Sequence, residues 1–117
     1  MDHTELLRRL SLNDERVVAD VLSGACTQSP GLDRILDPRT LALVRLAALV
    51  AVGGAVPSYG AQADDAVDAG ATDAEVIEVL VGIIPVVGLP RAVAEAPKLA
   101  LALGHDVEDA FGIRPGA

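Results

Sequence analysis

The sequence predicts an all-α fold, a compact helical bundle that assembles into a homo-oligomer. Apolar residues recur at helical spacing, and no segment keeps the two-residue alternation of a strand. Each apolar segment is bracketed by residues that start or stop helices. Hydrophobic residues make up 51% of only 117, and the charged fraction is 22%. A chain this small has too little interior to hide so much apolar surface, so burial between subunits is the expected solution.

The helices follow in order. Leu6, Leu7 and Leu10, then Val17, Val18, Val21 and Leu22, mark one helix or a pair. Asn13 is the expected cap of the second, with Asp14 and Glu15 in its first turn, and Gly24 closes it. Residues 24–31, with Gln28, Ser29 and Pro30, read as a loop. Asp37 then caps a helix with Pro38 at its first position, and Leu36 is placed to staple onto Leu41. That helix is expected to run to Val52 and stop at Gly53-Gly54. Pro57 opens another through Ala69, with Gly70 as its left-handed end. Thr72-Asp73-Ala74-Glu75 is a capping box before a run of Val, Ile and Leu. Pro85 is expected to kink or end that helix. Gly88-Leu89-Pro90 begins the last long helix, ending near Gly104, and 105–117 reads as a short tail. The whole is expected to be a single domain, 1–117.

Composition excludes several function classes. The chain has one Tyr, one Phe and no Trp, which argues against base-stacking modules and aromatic cages. A formal net charge of -8 argues against nucleic acid and anionic membranes as partners. Mean hydropathy is +0.43, yet the longest charge-free run, Leu46–Ala63, is interrupted by Gly53-Gly54, Pro57 and Gly60, so no membrane span is expected. Met1-Asp2-His3-Thr4-Glu5 is acidic, with no apolar stretch after a basic start, and predicts no signal peptide and a cytoplasmic protein. Cys26 is the sole cysteine, so an intrachain disulfide and a cysteine-based metal cluster are excluded.

The order Leu36-Asp37-Pro38-Arg39-Thr40, Gly53-Gly54, Gly70-Ala71-Thr72 with Glu75, and Gly88-Leu89-Pro90 with Ala92 resembles the carboxymuconolactone decarboxylase family, which includes the alkyl hydroperoxidase D-like proteins. The resemblance covers about residues 36–103 and implies trimers or hexamers. Redox members of the family carry Cys-x-x-Cys-x-x-x-His at the start of the middle helix. Those positions correspond here to Ala55, Ser58 and Gln62, and the family's upstream proton-relay Glu to Ala42 or Leu43. A thiol peroxidase needs a thiolate and a resolving thiol, so peroxidase chemistry is not expected unless Cys26 is reactive. Decarboxylases of the family keep a His at the place of Gln62; an amide positions a ligand but does not shuttle protons near pH 7.

The polar residues left in this setting are the candidate site. Ser58 and Gln62 share a helix face, with Tyr59 beside them as a possible acid. Tyr59 and Gln62 are the catalytic candidates, and Ser58, Arg45 and Arg91 the substrate-binding ones. Arg45 sits among Leu41, Leu46, Leu49 and Val52, which predicts a buried guanidinium. Its partner is then a carboxylate of Asp64, Asp65, Asp68 or Glu78, or one from a substrate. Arg91 follows Pro90 at a helix start, where an anion is favoured; the plainer reading is a surface residue. Asp64 and Asp68, one turn apart, are more simply a solvated face than a cation site, and no metal or cofactor is expected. The expected function is non-thiol binding or transformation of a small organic acid or lactone, by decarboxylation or isomerisation. The alternative is a catalytically silent oligomeric binding or structural module of the same fold.

Overall fold

A computed structural model describes residues 2–23 and 35–104. Every regular element among them is a helix. They fall in two compact units, residues 1–36 and 37–117.

The first unit holds α1 (His3–Ser11) and α2 (Glu15–Ser23). Asp2 caps α1, accepting from the Glu5 backbone N–H at 2.7 Å. Asn13 does not cap α2. It takes a positive φ of 53° in the connecting turn, and the Asp14 carboxylate accepts from the N–H groups of Arg16 and Val17 instead. Asn tolerates the left-handed region better than most residues, so the turn uses its backbone and leaves capping to its neighbour. The predicted close at Gly24, the 24–31 loop, Cys26 and the 105–117 tail lie outside the described residues.

The second unit holds α3 (Pro38–Val52), α4 (Val56–Asp68), α5 (Asp73–Val87) and α6 (Leu89–Ala102). Asp37 caps α3 through the Thr40 N–H, with Pro38 at the helix start. α3 and α6 pack on each other, and each also packs on α4 and α5. The core is Ala42, Leu46 and Val50 of α3, Tyr59 and Ala66 of α4, Ala71, Val76 and Leu99. Ala42, Leu46 and Val50 are four residues apart, so α3 fully buries one stripe, with Leu43 and Leu49 partly buried beside it, and turns Val44, Arg45 and Val52 to solvent in the single chain. Val52 is 74% exposed and Val86 87% exposed. No helix among the described residues is long and apolar enough to cross a membrane.

The capping box of α5 is complete. Thr72 Oγ1 accepts from the Glu75 N–H at 3.1 Å, and Glu75 Oε1 accepts from the Thr72 N–H at 3.1 Å. Glu75 also pairs with Arg39 at 2.9 Å, tying the starts of α3 and α5 together. Thr72→Ala is expected to lower stability by about 1 kcal/mol, read as a shifted urea midpoint at unchanged slope. Pro85 does not end α5, which continues to Val87. The proline stands in the last turn, so only one interior hydrogen bond is lost before Gly88 closes the helix on the Ile84 carbonyl at 2.8 Å.

Candidate functional site

The junction between α3 and α4 is built from Gly53, Gly54 and Ala55. Gly53 closes α3 with φ of 82°. A Cβ there would lie 2.5 Å from Arg91 Nη1 and 3.1 Å from Glu95 Oε1, so the glycine is required twice, by its backbone angle and by the α6 side chains against it. A Cβ on Gly54 would lie 3.3 Å from the Tyr59 ring. At this junction Gly53 and Gly54 thus lie against polar side chains of another helix.

Those side chains come from one stripe of α6: Arg91, Glu95 and Lys98. Glu95 is 1% exposed. Its Oε1 accepts from the Gly54 N–H at 2.8 Å, and its Oε2 pairs with Lys98 Nζ at 2.7 Å. Lys98 Nζ also donates to the Gly54 carbonyl at 2.9 Å. Both polar groups of Gly54 are therefore held by an oppositely charged pair that is itself bonded. Lys98, followed by the Gly54 N–H, outweighs burial and holds the Glu95 carboxyl below the usual carboxylate range.

Tyr59 is fully buried at the start of α4. Its hydroxyl makes no hydrogen bond of acceptable geometry among the described residues, although the Glu95 carboxylate lies near enough to oppose a phenolate. Burial first, then the charge of Glu95, pushes the phenol up to about 12. Tyr59 therefore keeps its proton at neutral pH, the form in which it can donate to a ligand. Three residues on, Gln62 is half-buried, and its Oε1 is likewise enclosed without a partner. Native proteins leave few such groups.

The other predicted residues are placed as follows. Ser58 is exposed in the first turn of α4, which Ala55 caps without a side-chain hydrogen bond. Arg91 is exposed and makes no ion pair among the described residues, while its guanidinium lies over Gly53. Arg45 is not buried. It lies on the solvent side of α3, without a carboxylate partner among the described residues. The buried stripe falls on Ala42, Leu46 and Val50, and the apolar neighbours that suggested burial lie partly in the open. The structure thus brings Tyr59 and Arg91 to the junction and leaves Arg45 elsewhere on α3.

Asp64 and Asp68 line a separate cavity of about 200 Å³ with Asp73 and the end of α6. Among the described residues no group of three or more His, Cys, Asp or Glu is arranged to hold a metal ion. Glu95 and Lys98 were invisible to sequence reasoning. An acid and a lysine three apart on an Ala-rich helix look like a surface pair. The available hint was that they are the only charges between Arg91 and the end of α6.

The carboxymuconolactone decarboxylase family is the description of the family model that matches this chain, over residues 22–102. The match begins earlier than the resemblance over 36–103 and takes in the end of α2. No curated protein and no solved structure gives a match.

Proposed function

The chain belongs to the carboxymuconolactone decarboxylase family, and from that premise we propose that it binds a small organic acid or lactone as a non-thiol member. The observation that carries this reading is the pair of enclosed side-chain oxygens without partners, Tyr59 Oη and Gln62 Oε1, on the helix that starts at the polar junction. A ligand oxygen accepting from Tyr59, and a ligand hydroxyl or acid proton donated to Gln62, would satisfy both. Arg91, without an ion pair among the described residues and near Tyr59, suits the ligand's carboxylate. Because Tyr59 is fully buried, a ligand meets it only when the junction opens.

The chemistry such a site offers without a cofactor is decarboxylation or isomerisation. In the first, the bond to the carboxyl carbon breaks, carbon dioxide leaves, and the electron pair moves onto the ligand's carbonyl oxygen. Tyr59 and Arg91 stabilise that oxygen, and water supplies the proton to carbon. Ser58, exposed in the first turn of α4, extends the ligand surface, and Arg45, elsewhere on α3, would reach it only from a neighbouring subunit. Exposed Val52, Val81, Val86, Leu89 and Val93 support assembly as a homo-oligomer, a trimer or hexamer. The second reading is a catalytically silent binding or structural module. It is favoured by Glu95, the buried carboxylate nearest Tyr59, being wholly engaged by Gly54 and Lys98 and so unable to act as a free base.

A thermal-shift screen of lactones and dicarboxylic acids tests the ligand. Saturating ligand at one hundred times its Kd is expected to stabilise the wild type by about 2.7 kcal/mol. Arg91→Ala and Gln62→Ala are expected to lose most of that gain. If no compound stabilises the wild type, or if both variants respond as it does, the site assignment fails. Release of carbon dioxide from a stabilising compound separates the catalytic reading from the silent one.

A further inference from the structure

We infer that Glu95 and Lys98 are positioning residues of the ligand site: they grip the Gly54 peptide between them and hold the Tyr59 hydroxyl as a hydrogen-bond donor for a ligand oxygen. This rests on the proposed ligand reading for its purpose, but its geometry stands apart from it.

The grip is unusual in what it consumes. An exposed i,i+3 pair contributes little by itself and needs no third party. Here the carboxylate is buried, and taking it from water is costly unless every lone pair finds a donor. Glu95 meets that demand by accepting from the Gly54 N–H and from Lys98, 2.8 and 2.7 Å away. Lys98 then reaches the carbonyl of the same residue. Two charged side chains thus fix the two peptide planes that meet at Gly54, across a sequence separation of more than forty residues.

Gly54 lies against the Tyr59 ring, and only Ala55 separates it from the start of α4. A shift of the Gly54 peptide would therefore move the α4 start and the phenol with it. The groups facing Glu95 are Tyr59 from α4, Arg91 and Lys98 from α6, and the Gly54 N–H from the junction. No charged residue of α3 or α5 among the described residues is paired with it. A carboxylate in this place, unprotonated and already supplied with donors, disfavours a phenolate next to it. Tyr59 is left to donate. The ligand class follows: compounds that present a carbonyl or carboxylate oxygen, not compounds that must lose a proton to Tyr59.

The test is a pH titration followed by NMR, with Gly54 and the sole tyrosine as reporters. In the wild type, the Gly54 amide and the Tyr59 ring resonances are expected to move together, at a midpoint below the ordinary 4.5 of a glutamate. In Lys98→Met both are expected to move together at a higher midpoint, because the cation that favours the carboxylate is gone. In Glu95→Gln neither shows the transition. A purely structural pair would leave the shift of the Tyr59 ring on adding succinate the same in wild type and Lys98→Met, whereas positioning residues make it smaller in the variant. The inference is overturned if Tyr59 does not follow Gly54 in the wild type, if it follows only as the helices melt, or if Lys98→Met leaves the midpoint in place. The wild-type and Lys98→Met titrations decide the matter even where Glu95→Gln does not fold. Adding millimolar succinate to the same samples separates the two claims. If Tyr59 and Gly54 titrate together but succinate shifts neither Tyr59 nor Arg91, the positioning holds and the dicarboxylic-acid reading is what fails.

Discussion

Glu95→Ala is expected to lower folding stability by about 3 kcal/mol at pH 7, because three losses fall on one side chain. The buried Gly54 N–H loses its acceptor. Lys98 keeps only the Gly54 carbonyl, and a space remains where a fully buried side chain stood. Glu95→Gln, which keeps an acceptor and the shape, is expected to cost about half as much, since the amide nitrogen then meets the Lys98 ammonium donor to donor. Urea unfolding of both variants measures this. A loss under about 1 kcal/mol for Glu95→Ala would show that the pair is no more than a surface contact. The pH dependence has a definite sign. The folded carboxyl titrates below its ordinary value, so its contribution is present above pH 4.5 and is lost as pH falls through the lower folded value. The wild type is therefore expected to shed this share of stability on acidification, and Glu95→Ala has no such share to lose.

Leu46→Ala is the second large effect, also about 3 kcal/mol. Leu46 is among the largest fully buried side chains and sits centrally on the buried stripe of α3. The one ring in this core, Tyr59, is fully buried against Gly54, and the surrounding Ala42, Val50, Ala66 and Val76 are small or stiff, so the void is expected to stay largely unfilled. Arg45→Ala, one residue earlier, is expected to change stability of the dilute single chain by less than about 0.5 kcal/mol. Equal losses at the two positions would mean that the stripe has been assigned to the wrong face.

This contrast shows where sequence was sufficient. Helix boundaries were legible because Asp37, Pro38, Thr72 with Glu75, and Gly53 act locally, through caps and backbone angles that need no tertiary context. The helix end expected at Pro85 did not fall there because the cost of a proline depends on how much helix follows it, and here two residues follow. The buried face of α3 was not legible. When apolar residues surround a helix, periodicity cannot choose among faces, and the choice falls to packing against α4, α5 and α6. The site was half legible for a similar reason. Tyr59 and Gln62 stood out as polar residues in an Ala/Val setting, but Glu95 and Lys98 gain their meaning only when Gly54 is folded against them.

The Gly54 contacts also have a temporal consequence. They close a chain loop of about forty residues that contains all of α4 and α5, so the entropy of that closure must be met before the contacts form. The neighbouring pairs α3–α4 and α5–α6 need no such closure. The α6 grip is therefore expected to form late, with folding rates of Glu95 variants close to wild type and unfolding rates raised. Changes at Glu95 then act on the rate of escape from the native state and leave the rate of reaching it nearly untouched. The residue that orders the junction becomes the one that sets how long the folded chain survives between openings.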